Sequence, residues 1–506
     1  MSNSGQITVA SGHPLTSQAA IEIMAEGGNA FDAVVAAGFT AAVAEPALTS
    51  LGGGGFLLAA TSSGEEIMFD FFSDTPGLGL PENDLEPHFF NVTIEFSGTA
   101  QDFKIGLGSV AVPGNLKGFI HAHTRLGGLP LEKIVQPAIR AARNGVVVNL
   151  RQAHFLELLY PIMTLSDTGK KLYEPGGKYL KEGMTYFNHD LADFLEKLPL
   201  NNGDDFYTGK IASEIASEMR SGNGLLSEKD LASYRVKERR PLAIEYRGHR
   251  FLTNPPPSFG GTLIGATLQL METAPLSEMA WGSSEHLKVL GKVLEEIDKH
   301  RDSVASAADR NNLEWLSSAS REIRRMFSRG TTHISVSDSM GNHAAMTTSN
   351  GEGSGYIVPG TGIMLNNMMG EDDLHPDGFH SSPSGLRVAS MMSPSMLVGE
   401  KGVEMVIGSG GSKRIRTAIP QVISNVVDFG IAIEQAVELP RIHWDGETMQ
   451  VEPGYEEAVI EELKNIWPVN AWSNKGVYFG GVHAIYNGEP AGDPRRGGTA
   501  LKKTAT

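Results

Sequence analysis

The chain has 506 residues and a formal net charge of −17, with 41% hydrophobic and 20% charged residues. This balance excludes a disordered chain, which lacks the apolar residues for a core, and a nucleic-acid-binding surface, which needs clustered Lys and Arg. There is no cysteine, so disulfides, thiolate nucleophiles and Cys-ligated zinc or iron–sulfur centres are excluded as well.

From the N-terminus, Ile7 to Ala10 reads as a short strand. Thr16 or Ser17 is the expected N-cap of a helix over Gln18 to Ala25, which Gly27-Gly28 ends. Asp32 to Val43 is apolar nearly all round, the mark of a buried helix, and stops before Pro46. Gly52 to Gly55 then lead into a strand, Phe56 to Ala60. A turn at Pro113-Gly114 precedes a helix carrying His121 and His123, and a second helix is expected from about Leu131 to Arg143. The α/β alternation continues over 206–272, broken by Pro255-Pro256-Pro257 and Gly260-Gly261, and a helix follows from about Ser284 to Arg301. Residues 302–330, with Arg321, Arg324, Arg325 and Arg329, are the most polar stretch and read as a solvated helix leading into a loop. Beyond 330 the chain turns to short alternating strands, many glycines and Met-rich patches, which suggests an antiparallel sheet. That shift is the best candidate boundary.

No stretch approaches the roughly 18 apolar residues of a membrane span. Met1 to Gln6 shows no basic region followed by an apolar run. A soluble, cytoplasmic protein with no membrane or nucleic-acid partner is expected, or a secreted or periplasmic one if a leader was trimmed.

The segments Thr331 to Ser337 and His343 to Ser349 alternate with period two around the turn-like Asp338-Ser339-Met340-Gly341-Asn342, a hairpin pattern. Centring the turn on Met340 sets Ile334 against Met346 and Val336 against Ala344. On the other face His333 meets Thr347 and Thr331 meets Ser349. A slip of one residue would pair apolar with polar almost throughout. A threonine hydroxyl needs a base, and its own α-amine is one solution, with a reference pKa of about 7.7–8.0. An internal threonine acquires that amine only if the Gly330–Thr331 bond breaks, and Gly330, without a Cβ, lets the hydroxyl approach the preceding carbonyl. An ordinary polar hairpin satisfies the same pattern.

In order along the chain stand Ala10-Ser11-Gly12-His13-Pro14-Leu15 with Gly27-Gly28-Asn29-Ala30-Phe31-Asp32-Ala33, Leu51 to Phe56, Val112-Pro113-Gly114, Gln136-Pro137-Ala138-Ile139, Pro255 to Gly261, Gly330-Thr331-Thr332-His333, Val358 to Asn367, Met392-Ser393-Pro394, Gly408 to Ser412 and Asp493-Pro494-Arg495-Arg496. Carrying these, the sequence resembles the γ-glutamyltranspeptidase family over nearly its whole length. The resemblance implies an α/β (α+β) fold, a four-layer αββα sandwich of the N-terminal nucleophile hydrolase type. It implies a precursor that cuts itself before Thr331 into a large piece, 1–330, and a small piece, 331–506, which stay together as one intertwined unit. Thr331 would be the nucleophile, and Ser349 stands where the family has a threonine touching it. Asn350 matches a nearby amide residue. Gly410 and Gly411 match the glycines whose N–H groups form the oxyanion hole, donors worth about 2.7–4 kcal/mol each in comparable enzymes. The implied reaction is acyl transfer through an acyl-Thr331 ester from a small amide substrate to water or an amine, with no cofactor and no metal.

The substrate-binding positions depart from the family pattern. An arginine is expected after Asp70-Phe71, where Phe72 stands. A Gln or Glu is expected after Asn366-Asn367, where Met368 stands. Glu371, followed by Asp372 and Asp373, replaces an aspartate, and a serine pair becomes Ser390-Met391. The lid segment, Leu374 to Leu386, is short. A pocket lined by Phe72, Met368 and Met391 should reject a zwitterionic head group, since a buried ion without a partner costs several kcal/mol. The expected activity is therefore an amidase or acylase of non-standard acyl specificity. The alternatives are a true γ-glutamyl hydrolase or transpeptidase on glutathione-like substrates, and a non-catalytic binding relative.

Gly52 to Gly55, Gly353 to Gly355 and Gly408 to Gly411 lack the Lys-Ser/Thr ending or strand–helix context of phosphate loops. His121/His123 and His375/His380 lack a third metal ligand and read as surface or core histidines. His333 shares the nucleophile's face and suits structural hydrogen bonding as well as catalysis. Asp493-Pro494-Arg495-Arg496 reads as a structural anchor without chemistry.

Overall fold

The computed structural model describes residues 6–81, 86–96, 99–300, 330–371, 374–375 and 378–504. The polar stretch with Arg321, Arg324, Arg325 and Arg329, together with Arg301, Asp372 and Asp373, lies outside the described residues.

Two large antiparallel sheets carry the architecture. Counting only their strands, β1 is Gln6–Ser11, β2 Gly54–Ala60, β3 Glu66–Phe71, β4 Lys237–Arg239, β5 Leu242–Tyr246 and β6 His249–Thr253. After residue 330 come β7 Thr331–Ser337, β8 His343–Ser349, β9 Ser395–Gly399, β10 Gly402–Gly410, β11 Gly481–Tyr486, β12 Glu489–Ala491 and β13 Thr499–Thr504. The first sheet runs β13-β1-β7-β8-β2-β3-β4 and the second β12-β11-β10-β9-β6-β5. Each mixes strands from both sides of residue 330. The composition shift there is therefore no domain boundary: β7 is bonded on both edges, to β1 and to β8.

Alternation along the strands sorts the side chains into layers. Val9, Leu57, Ala59, Ile334, Val336, Ala344 and Met346 join one core, shared with helices α1 (Pro14–Ala25) and α2 (Ala30–Ala44). Their neighbours Ala10, Phe56, Leu58, Ala60 and Ala345 join a second core with Val406, Ile407, Val482 and Ala484 of the other sheet. Helices α3 (Gly260–Glu272) and α4 (Ile415–Val427) close the far side through Ile264, Leu268, Ile419 and Val422. The order is helix, sheet, sheet, helix, the αββα sandwich expected.

Helix α2 is buried over its whole length, as its all-round apolar sequence requires. Asn29 and Asp32 cap it reciprocally, and Asp32 also accepts the Gly128 N–H at 3.0 Å. Helix α1 corrects the expected cap. It starts at Pro14, and the His13 Nδ1 accepts from the Leu15 N–H at 3.1 Å. Thr16 and Ser17 lie inside it. The helix expected over Leu131 to Arg143 is two, Leu131–Ile134 and Gln136–Asn144, because Pro137 has no N–H with which to continue the ladder. In the C-terminal third α4 was not legible among the expected strands. Its β-branched residues and internal Pro420 disfavour a helix locally, and burial between the second sheet and its neighbours overrides that preference.

Several histidines are buried and held neutral. Burial pushes His13, His286, His343 and His483 from 6.5 down to about 4. A folded pKa below the unfolded one contributes stability that is complete above the unfolded value and lost as pH falls through the folded value. Stability should thus drop between pH 6.5 and about 4, by up to about 3 kcal/mol for a fully buried residue such as His483. Urea unfolding at pH 7 and at pH 4.5 measures this, and His483→Gln should flatten the difference. Glu45, pushed up to about 7 by burial, and Asp74, also raised by burial, have the opposite sign, and the histidines outnumber them.

Candidate active site

The hairpin adopts the register that the alternation demands: Thr331↔Ser349, His333↔Thr347, Ile334↔Met346 and Val336↔Ala344. Thr331, His333 and Ser335 face the second sheet, with the Ser335 hydroxyl bonded to the carbonyls of Val406 at 3.3 Å and His483 at 3.1 Å. Thr331 begins the strand and is 4% exposed. Its Oγ1 donates to the Ser349 Oγ at 3.4 Å, and the Ser349 Oγ donates onward to the Gly330 carbonyl oxygen. The Gly351 N–H returns a bond to the Ser349 Oγ at 3.0 Å. One serine hydroxyl thus touches both the threonine and the carbonyl of the bond that precedes it.

Only glycine fits at two neighbouring positions. A Cβ on Gly330 would lie 1.5 Å from the Gly351 carbonyl oxygen, and one on Gly410 would lie 2.4 Å from the Thr331 carbonyl oxygen. The second value shows how closely the end of β10 crosses the start of β7. Gly411, next in the chain, has φ +121°, a conformation that L side chains rarely adopt.

Across the first sheet, Thr331, Ser349 and Gly54 form a row of directly paired residues on one face. Phe72 stands just past the Phe71–Gly55 pair and extends the row: a Cβ on Gly54 would lie 3.0 Å from the Phe72 ring. Beside a threonine hydroxyl, then, come a serine hydroxyl, a position without a side chain, and a phenyl ring.

A model of the gamma-glutamyltranspeptidase family matches residues 16–502, which include every residue of this cluster. The chain belongs to the gamma-glutamyltranspeptidase family. It is 32% identical to the acylase ACY 1 proenzyme of Pseudomonas sp. strain SE83, over 90% of this chain and 85% of that protein. It is 30% identical to the glutathione hydrolase proenzyme of Escherichia coli K12, over 90% and 84%. Among solved structures, cephalosporin acylase from Bacillus halodurans superposes with a TM-score of 0.80 at 22% identity, covering 98% of this chain and 96% of that one, a likeness of fold. Gamma-glutamyltranspeptidases and the acylases related to them are amidohydrolases and acyl transferases, and the chain is an enzyme of that class.

The gamma-glutamyltranspeptidase positions expected to bind substrate are only partly brought together. Phe72 stacks on Phe56 with ring centroids 5.6 Å apart and shares a core with Met368 and Met392. Met391 does not join them. It packs with Leu263, Ala266 and Ile297 in a separate cluster, because the backbone at 390–392 is turned by other bonds. The Ser390 Oγ accepts the Met392 N–H at 3.1 Å, and its carbonyl accepts the N–H of Phe259 and of Gly260 at the start of α3. Ser390 and Met391 therefore anchor a helix end. Glu371 is buried beside Gly351, where a Cβ would lie 2.3 Å from its Oε1. Asn350 donates to the Leu365 carbonyl at 3.4 Å, while its Oδ1 has no partner among the described residues. Asn366 ties three loops together through Gly52, Ala111 and Met368.

An arginine from another part of the chain is buried against the backbone at position 72. Arg387 donates to the Phe72 carbonyl and to the Tyr234 hydroxyl at 2.8 Å, and pairs with Asp74 at 3.0 Å and Asp70 at 3.5 Å. Two carboxylates already balance its charge. Ser73 was not singled out from the sequence. Its buried hydroxyl has no partner among the described residues and would lie 3.0 Å from a Cβ on Gly54.

Both ring nitrogens of His333 are engaged. Its Nδ1 meets the Thr347 Oγ1 at 2.7 Å and its Nε2 the Ser335 Oγ at 3.0 Å, and burial holds it neutral, far below its ordinary range. Of the histidines weighed as metal pairs, His121 bonds Glu238 at 2.8 Å, His375 the Met368 carbonyl at 2.9 Å, and His380 stacks on Phe89. Among the described residues no helix is long and apolar enough to cross a membrane.

A second residue that sequence reasoning missed is Arg496. It was read as part of an anchor, and Asp493 and Arg495 are one. Arg496 instead reaches the centre: its Nη1 donates to the Thr331 carbonyl oxygen at 3.1 Å. A basic pair in a turn carries no signal of which residue it will meet.

Proposed function

We propose that this chain cuts itself between Gly330 and Thr331 and then uses the freed Thr331 to transfer acyl groups from amides to water or an amine. The observation that carries the reading is the Ser349 hydroxyl, which bridges the Thr331 hydroxyl and the Gly330 carbonyl. In the cutting step the Thr331 Oγ1 attacks the Gly330 carbonyl carbon and its proton passes to the departing amide nitrogen. The C–N bond breaks and an ester forms. Water then hydrolyses that ester, leaving a Gly330 carboxylate and a Thr331 with both its hydroxyl and an α-amine. Ser349, hydrogen-bonded to the carbonyl oxygen, stabilises the charge that develops on it.

In the second reaction the freed amine takes the hydroxyl proton as the oxygen attacks a substrate amide. The N–H groups of Gly410 and Gly411, where β10 crosses Thr331, are assigned to the oxyanion. Phe72 and Met368 line the acyl side where polar anchors are expected, Arg387 is a cation itself, and Glu371 beside Gly351 is the carboxylate left for an α-ammonium. Asn350 Oδ1 and the Ser73 hydroxyl suit a neutral or hydrogen-bonding part of the acyl group. The named acylase relative supports this reading. The glutathione hydrolase relative supports the rival in which γ-glutamyl amides are the substrates.

Intact-mass spectrometry should find two chains divided at Gly330–Thr331. In an anilide screen, glutaryl anilide should exceed γ-glutamyl anilide, the same acyl chain bearing an α-amine, by at least about 30-fold in kcat/KM, since an ammonium that loses the polar partner expected at 368 costs several kcal/mol. Equal turnover of the two would restore the γ-glutamyl reading, and a chain that stays whole on long incubation would end the catalytic one.

A further inference from the structure

Behind the nucleophile strand, on its helix side, lies a narrow cleft whose lining includes Gly12, Glu45, Ala47, Phe155 and Arg496. Two buried groups of opposite sign meet the first two residues of β7 from there. Arg496 donates to the Thr331 carbonyl at 3.1 Å. Glu45 accepts the Thr332 hydroxyl at 2.7 Å on one oxygen and the Thr16 hydroxyl at 2.9 Å on the other. Glu45 stays off the substrate side, since Thr332 points away from the face that Thr331 and Ser349 share, whereas the Arg496 guanidinium lies 3.0 Å from a Cβ on Gly410 and 3.4 Å from one on Gly411.

We propose that Arg496 is a positioning residue which clamps Thr331 by its carbonyl and, with Glu45 as its opposing charge, sets the protonation of the α-amine that cleavage frees. This rests on the reading of Thr331 as an N-terminal nucleophile. A cation held on the carbonyl of a residue disfavours a second cation on that residue's own nitrogen. Arg496 therefore lowers the amine below its reference of about 7.7–8.0 and keeps it neutral, and able to accept a proton, at lower pH. Glu45, when ionised, acts the other way.

The surrounding charges are accounted for. Burial and then Arg414 push Arg496 down to about 10, against Asp493, Glu45 and Glu352, so it stays charged at neutral pH. Glu45 is pushed up to about 7 by burial, against the Thr332 and Thr16 hydroxyls and Arg496, so it ionises within the working range. Arg151 lines the same cleft. His13 is buried and held neutral, as are His333 and His483 on the other face. Glu371 lies beside Gly351.

The test is the pH dependence of kcat/KM for cut protein with a neutral anilide. Arg496→Gln should move the acid limb up by about one pH unit, and Glu45→Gln should move it down by a smaller amount. A merely structural role predicts lower rates with the limb in place. Arg496→Lys, which keeps the cation, should hold the limb near that of the parent. If Arg496→Gln remains uncut, Glu45→Gln decides alone. A limb that stays fixed in the charge-removing variants overturns the proposal, and so does one that vanishes in Glu45→Gln, which would make that carboxylate the titrating group. An uncut parent protein would instead remove the reading on which the proposal rests.

Discussion

Thr331→Ala should leave one uncut chain and lower amide turnover by at least about 10⁴-fold, the scale on which loss of a nucleophile acts. Both effects come from one atom. The Oγ1 that meets Ser349 at 3.4 Å is the group that would attack the Gly330 carbonyl and later the substrate. Alanine leaves the strand register untouched, since β7 is held by backbone pairing to β1 and β8, so the fold should survive. Thr331→Ser, which restores a hydroxyl, should recover the two-chain pattern, more slowly because serine lacks the methyl that restricts χ1. Denaturing electrophoresis and an anilide assay measure the pair. Activity in Thr331→Ala within tenfold of the parent would sink the nucleophile assignment.

A stability loss of about 3–5 kcal/mol is expected for Asp493→Ala, the cost of removing one partner from a buried ion pair. Asp493 is inaccessible to solvent. It accepts from Arg441 at 2.7 Å and from Arg495 at 3.1 Å, and from the backbone N–H of Val482 and of Arg495, each at 2.9 Å. Burial alone would raise its carboxyl, yet Arg441 and Arg495 hold it far below the usual carboxylate range. Glu452 takes the rest of Arg495, at 2.6 Å. Without Asp493, Arg441 loses its one carboxylate partner within 4 Å among the described residues while remaining buried. Urea unfolding in the Thr331→Ala background, where a single chain unfolds, measures the difference. A loss below 1 kcal/mol would show that water replaces the carboxylate. Because Arg496 lies three residues on, in the short helix that Asp493 caps, the damage should also reach Thr331.

The two halves of the site differed in how far they could be read from the sequence. The hairpin was legible because period-two alternation over seven residues on each side leaves one register that buries apolar against apolar. That alone placed Ser349 against Thr331. The helices α1 and α2 were legible from their apolar pattern, although the cap of α1 was not, since a histidine ring accepting from a backbone N–H competes with the more usual Thr and Ser. Helix α4 was hidden because its β-branched residues favour strand locally, and only packing between layers overrides them. Met391 was placed in the acyl pocket because, with Ser390, it stands where the family pattern has a serine pair. In the structure the bonds from Ser390 to the start of α3 turn it into a different cluster.

What the sequence determined by itself is the local and the ordered: the strand register around Thr331, the glycines at close approaches, the run of family segments, and the loss of polar side chains at 72 and 368. What only the tertiary structure decided is every partner brought in from afar. Arg496 on the Thr331 carbonyl, Glu45 on Thr332, Arg387 on Phe72 and the crossing of Gly410 over Thr331 join residues 79 to 315 positions apart. The physical reason is that sequence periodicity reports which face of an element is buried, while the identity of what buries it depends on how two sheets stack and where their loops end.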